Sequence, residues 1–192
     1  MKRQIMWSPW TTPGLEHVQV FTQSGGIVAD GLILGVEEQE PFRARYEIQC
    51  DQRWKLRTVH ISLLGGASQS LHLVTDGEGS WATGGGEALP SLTGCLDVDI
   101  SVTPFTNTLP IRRLALQLGD SATLSMAYIT VPELQVEVTE QRYTCVEATS
   151  SGGRYRFESL EQGEAIFTAE LLVDQDGLVV DYPQLFRRVG AW

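Results

Sequence analysis

The sequence predicts an all-β protein of more than ten mostly antiparallel strands, with at most short helices. Three observations predict it. Apolar and polar residues alternate with a period of two along most of the chain. Gly- and Pro-bearing turn signals separate the alternating runs. A helical period is hard to find anywhere. Strict alternation over four to eight residues puts one face of a strand in a core and the other in water.

The runs can be taken in order. His17–Phe21 alternates, then Arg57–Leu63, with Val59, Ile61 and Leu63 on one side. Leu96–Thr103 is the most regular, followed by Leu114–Leu118, Leu134–Val138, Tyr155–Phe157 and Phe167–Leu171. Turn signals fall at Gly25-Gly26, Gly65-Gly66, Asp76-Gly77, Gly84-Gly85-Gly86, Gly119-Asp120, Gly152-Gly153 and Asp176-Gly177. Pro183–Val189 is expected to form one short terminal helix, with Pro183 in its first turn.

A weak internal repeat accompanies this pattern. Leu71, Leu73, Asp76 and Gly77 reappear as Leu171, Val173, Asp176 and Gly177, closed by Trp81 and Tyr182. Arg45-Tyr46 is echoed by Arg142-Tyr143. We expect one domain over residues 1–192 with repeats at roughly 1–90 and 91–192. Neither half need fold alone, because a sheet buries its apolar face only against another layer.

Composition excludes some functions. The 192 residues are 42% hydrophobic and 20% charged, a folded composition. Lys and Arg total 14 against 24 Asp and Glu, giving a net charge of −10. Such a chain repels a phosphate backbone and anionic membrane surfaces, so no nucleic-acid partner is expected. The acidic excess lies in the second half: residues 1–96 hold 7 basic and 10 acidic side chains, residues 97–192 hold 7 and 14. No apolar run reaches membrane-helix length, and Lys2-Arg3 precedes no signal-peptide core. Cys50, Cys95 and Cys145 are odd in number and widely spaced, without C-x-x-C. Free thiols and a cytoplasmic location are the expectation.

Catalytic motifs are sparse. His17, His60 and His72 form no metal-ligand spacing, although His60 and His72 could meet across neighbouring strands. There is no G-x-S-x-G elbow, and Thr83–Glu87 lacks the G-K-[ST] ending of a P-loop. No metal or cofactor is expected. Asp97 and Asp99 share a strand face, being two residues apart. The pair suits a cation or acid–base work, or else a polar face paired with Arg112 and Arg113 on a nearby strand. Asn107, the only asparagine, sits between Pro104 and Pro110, which are expected to fix a non-helical path. A rigid loop with an amide beside guanidinium groups suits hydroxyl or carboxylate recognition; it also suits a strand-to-strand crossover in which Asn107 caps backbone groups.

These residues carry a resemblance. Gly94-Cys95-x-Asp97-Val98-Asp99-Ile100, running into Thr103-Pro104-Phe105-Thr106-Asn107-Thr108-Leu109-Pro110-Ile111-Arg112-Arg113, resembles the hallmark block of the bacterial putative glycolipid-binding family. Cys50-Asp51-x-x-Trp54-x-x-Arg57, Asp76-Gly77-x-Gly79-x-Trp81, Tyr155-Arg156-Phe157 and Val173-Asp174-x-x-Gly177-Leu178-Val179-x-Asp181-Tyr182-Pro183 agree in order. The resemblance covers about Trp7 to Arg188. It implies a spiral β-roll built by duplication, similar in shape to bacterial lipoprotein carriers. No catalytic residues carry over from it.

Two functions are weighed most closely. One is a non-enzymatic binding protein for a lipid or glycolipid, with an apolar cavity inside a curved sheet and a polar mouth. Trp54 and Trp81 would stack sugar rings, Arg57, Arg112, Arg113 and Asn107 would donate to a headgroup, and Asp97 and Asp99 would help position it. The other is an enzyme acting on a glycolipid-related metabolite through Asp97, Asp99 and Asp181. An interaction module without a small ligand is the third alternative.

Overall fold

The computed structural model describes residues 2–23, 25–66 and 69–192. The first half contributes β1 (Lys2–Pro9), β2 (Leu15–Gln23), β3 (Gly26–Glu37), β4 (Glu40–Asp51), β5 (Leu56–Leu63), β6 (Ser70–Thr75) and β7 (Trp81–Thr83). The second contributes β8 (Asp97–Ile100), a 3₁₀ turn (Pro104–Asn107), α1 (Thr108–Leu114), β9 (Ser121–Ile129), β10 (Val136–Thr149), β11 (Gly152–Glu161), β12 (Glu164–Asp174), β13 (Val179–Tyr182) and β14 (Phe186–Ala191). No helix among the described residues is long and apolar enough to cross a membrane.

All fourteen strands form one sheet, in the order β7-β6-β5-β4-β3-β2-β1-β14-β13-β12-β11-β10-β9-β8. The chain runs outward from the middle to β7. It restarts at the opposite edge with β8 and returns to the middle at β14. There β14 closes on β1, with Ile5 opposite Ala191 and Pro9 opposite Phe186. The sheet curls until β5 touches β8. Among the described residues β7 and β8 are not paired, so the roll stays open rather than closing as a barrel.

The alternation explains which face is inside. Ile5 and Trp7, Val18 and Val20, Val59 and Ile61, Val98 and Ile100, and Ala127 and Ile129 are all within 1% of full burial. They join in one cluster that draws on both halves of the chain. Each such aliphatic side chain contributes roughly 1.5–3 kcal/mol on burial. A second cluster, with Ile111, Tyr143, Phe157, Leu171 and Tyr182, lies wholly in the second half.

Three local expectations are corrected. The Leu114–Leu118 run is the end of α1 and the loop after it, not a strand. Pro183–Val189 is a turn leading into β14, not a helix, because pairing with both β1 and β13 overrides local preference. The path around Asn107 is helical. Pro104 occupies the first turn of the 3₁₀ segment and Pro110 the first turn of α1, where a missing N–H breaks no bond. This segment is the crossover that parallel strands require: β8 pairs parallel with β9, whereas the other ladders described are antiparallel. Pro104 to Ile111 is buried throughout and packs against β8 and β13.

Three hairpin loops share one geometry. Asp51, Asp76 and Asp174 each accept, through Oδ1, the backbone N–H groups two and four residues on, at 2.7–3.1 Å. The residue three on is left-handed in each: Trp54 (φ 65°), Gly79 (φ 100°) and Gly177 (φ 75°). Asp76 thus corresponds in geometry to Asp174 rather than to Asp176, the residue that the sequence pairing aligned with it. Tyr46 on β4 and Tyr143 on β10 are both fully buried.

Candidate functional site

The residues singled out in the sequence separate into three groups. Trp54 and Trp81 lie in the core at 6% and 5% exposure, so their ring faces pack inward. Trp81 Nε1 donates to the Cys95 carbonyl at 2.8 Å, and Arg112 lies 5.4 Å from the Trp54 ring centroid. Arg57 clamps two of the aspartate loops, donating to Asp51 Oδ2 at 2.8 Å and to the Asp76 carbonyl. These contacts tie loops to the sheet.

The second group is the ion pair of Asp97 and Arg113. Asp97 is fully buried, and Arg113 Nε donates to its Oδ2 at 3.1 Å. Burial pushes the Asp97 carboxyl up, and Arg113 pulls it back down. The arginines do not sit on a neighbouring strand as expected: they occupy the last turn of α1. Arg112 and Arg113 therefore diverge, one towards Trp54 and the other towards Asp97.

The third group is Asp99 with Asn107, and it lines a cavity of about 410 Å³. Asp99 Oδ1 accepts from Thr106 at 2.8 Å, and Oδ2 accepts from Gln141 Nε2 at 2.7 Å. Its hydrogen-bond partners are neutral, and burial raises it above the ordinary carboxylate range. Asn107 donates to Tyr143 Oη at 2.8 Å and makes no backbone cap. Tyr143 donates onward to Gln141 at 3.2 Å. Asn107 and Gln141 are 3% and 2% exposed. Thr139 Oγ1, also at this cavity, is buried without a hydrogen-bond partner among the described residues.

Most of the remaining lining is apolar and aromatic. Phe157, Phe167, Tyr182 and Phe186 form a run of edge-on and tilted ring contacts with centroids 5.9–6.4 Å apart. Ile166 and Leu185 stand at the rim, 64% and 38% exposed. Asn107 and Gln141 are buried, while the exposed part of the lining holds Ile166 and Leu185 together with Glu137.

Glu16 and Gln141 were missed in the sequence, yet both carry a signal. Glu16 stands in phase with inward Val18 and Val20, and Gln141 in phase with inward Tyr143 and Cys145. A polar residue on the apolar phase of a strand is a buried polar group that needs a reason. Asp181, the third carboxylate of the enzymatic alternative, accepts from Trp10 Nε1 at 3.2 Å, so these three aspartates are held by separate partners.

The comparisons with known proteins can now be placed beside this geometry. The family described as "Putative glycolipid-binding" matches residues 4–188. The crystal structure of a DUF1089 family protein from Pseudomonas aeruginosa is similar at a TM-score of 0.80. It has 39% sequence identity over 94% of this chain and 95% of that one. No curated protein matches. With the profile spanning nearly the whole chain and the fold shared at that identity, the chain belongs to the putative glycolipid-binding family.

Proposed function

We propose that the protein is a non-enzymatic carrier or receptor for a glycolipid or a similar hydroxylated amphiphile, and that the Asp99–Asn107 groove is its site. The observation that carries this reading is the meeting of buried polar groups and a cluster of aromatic rings in one groove. Asp99, Asn107, Gln141 and Thr139 offer donors and acceptors at the floor. Phe157, Phe167 and Phe186 offer an apolar surface of edge-on and tilted rings. A volume of about 410 Å³ falls in the range of small-ligand sites. The hydroxylated head enters first, and the acyl part leaves along the aromatic wall past Ile166. Trp54, Arg57, Trp81 and Arg112 shape loops around the roll instead of meeting the head.

The test is native mass spectrometry of the protein purified from its own host, beside an Ile166→Asp variant. The parent is expected to retain a lipid of defined mass, and the variant to lose most of it, since a charge at the rim opposes the acyl part. A parent without any lipid, or equal retention by both proteins, would overturn the reading.

The same proposal treats residues 1–192 as one roll with related halves over roughly 1–90 and 91–192. Its support is the paired burial of Tyr46 and Tyr143 and the common loop geometry at Asp76 and Asp174. A cytoplasmic location goes with it, supported by three free, buried cysteines. Thiol titration under denaturing, non-reducing conditions is expected to find three reactive groups, and a disulfide would contradict the location.

A further inference from the structure

Glu16 presents a second and separate arrangement. It lies on β2 at 3% exposure, in a strand whose next inward residues are Val18 and Val20. Its Oε1 accepts two hydroxyls, from Tyr46 at 2.6 Å and from Thr103 at 2.7 Å. Its Oε2 has no hydrogen-bond partner among the described residues. Leaving a buried carboxyl oxygen unpaired is costly, so the arrangement asks for a function.

A cavity supplies the context. Glu16 lines a space of about 180 Å³, whose other walls include Trp7, Ile33, Phe42 and Val102. Glu16 is one of the residues lining it, and Oε2 is the carboxyl oxygen that no partner among the described residues occupies. Its exposed lining is mixed: Leu15 and Leu34 are cross-strand partners at 36% and 46%, Leu185 stands at 38%, and Thr11 and Thr12 are exposed beside them. An apolar space of about 150 Å³ already admits a six-atom ring, so a short aliphatic segment fits here.

We propose that this cavity is a binding site for an aliphatic segment carrying an uncharged carbonyl, such as an acyl ester, with the Glu16 carboxyl donating its proton to that carbonyl from Oε2. Two hydroxyl donors on Oε1 place the proton on the other oxygen, because Oε1 is occupied as an acceptor. Burial supports the neutral form, raising Glu16 to about 8 against the opposing hydrogen bonds of Tyr46 and Thr103. The other carboxylate at the cavity is exposed Glu37 on β3. An anionic ligand would meet the Glu37 charge and find neither Lys nor Arg in the lining. A cationic ligand would find a neutral donor where it needs an acceptor. The site meets the Asp99 groove at Ser101, Leu185 and Phe186, but it does not depend on the groove's own ligand.

The test uses three probes of equal chain length at pH 6.5: methyl pentanoate, sodium pentanoate and pentylammonium chloride. Binding is followed by NMR shifts at Ile33, Phe42 and Val102, with Phe157 and Phe167 as reporters of the groove. Methyl pentanoate is expected to saturate the first set and to bind about tenfold tighter than either ion. Glu16→Gln keeps an acceptor for Tyr46 and Thr103 and a permanent donor towards the cavity, so its affinity should stay within about threefold of the parent. Glu16→Met removes the donor and should weaken binding about tenfold. If that variant does not fold, the probe series on the parent and Glu16→Gln still decides. Tighter binding of pentylammonium, unchanged affinity in a folded Glu16→Met, or shifts confined to Phe157 and Phe167 would each overturn the site. The last result would leave the groove reading standing.

Discussion

Asp97 and Asp99 share one strand and one phase, yet they end in different electrostatic settings. Asp97 is closed off by the Arg113 guanidinium and lines no cavity described above. Asp99 is held by Thr106 and Gln141 and lines the groove. Glu16 resembles Asp99: neutral partners only, and a cavity beside it. The difference teaches how to sort buried carboxyls. One with a bonded cation secures the fold, and its removal leaves a charge stranded. One with neutral partners keeps a raised affinity for its proton and stays available to a ligand.

The largest expected effect concerns Glu16 and pH. Its folded-state affinity for the proton is raised from the ordinary 4.5 to about 8, so the folded protein holds that proton more tightly than the unfolded chain. The stability this gives is complete below about pH 4.5 and is lost as pH rises through about 8. At about 1.36 kcal/mol per pH unit, the shift sets a ceiling of about 5 kcal/mol. Asp97 and Asp99 are raised as well, while Asp51 and Glu158 are lowered, so total stability mixes several titrations. The difference between parent and Glu16→Gln isolates one of them. Urea unfolding from pH 4 to 9 should show the parent losing stability relative to the variant over that window. Parallel curves would place Glu16 with Asp97, as a structural group.

Next in size is Arg113→Met. It strands Asp97 in the core and should cost about 3–5 kcal/mol in chemical unfolding. A loss under about 1 kcal/mol would erase the distinction between the two aspartates. Asn107→Ala follows. It removes one donor to Tyr143, which keeps its own bond to Gln141, and should cost about 1–3 kcal/mol along with lipid retention. An unchanged melting temperature together with unchanged retention would remove Asn107 from both roles. Smallest is Asp99→Asn, which abolishes a titratable group but strands no cation. Its stability should change by less than about 1 kcal/mol, with the effect falling on retained lipid.

Much of the sheet was legible because alternation is a direct consequence of strand geometry. Arg57–Leu63 reads as a strand from its residues alone, and the Leu96–Thr103 run holds β8 at Asp97–Ile100, where a turn then ends it. The His60–His72 meeting is also present, as a cross-strand pair with ring centroids 5.4 Å apart. Helix α1 was not legible. Prolines that break a helix interior are tolerated in a first turn, and nothing local distinguishes the two. The terminal strand β14 was not legible either, since one of its two partners, β1, lies at the opposite end of the chain. For the site, the hallmark block gave Asp99 and Asn107, but the apolar wall comes from β11 to β14. Trp54 and Arg112 drew attention as ring and cation, and they meet each other instead.

The most direct test of the central claim is photo-cross-linking with a glycolipid bearing a photoactivatable acyl chain, followed by peptide mapping. The account predicts labels on Phe157, Ile166, Phe167 and Phe186, and their loss in Ile166→Asp. Labels concentrated around Trp54, Arg57 and Arg112, or scattered over the outer face of the sheet, would contradict it.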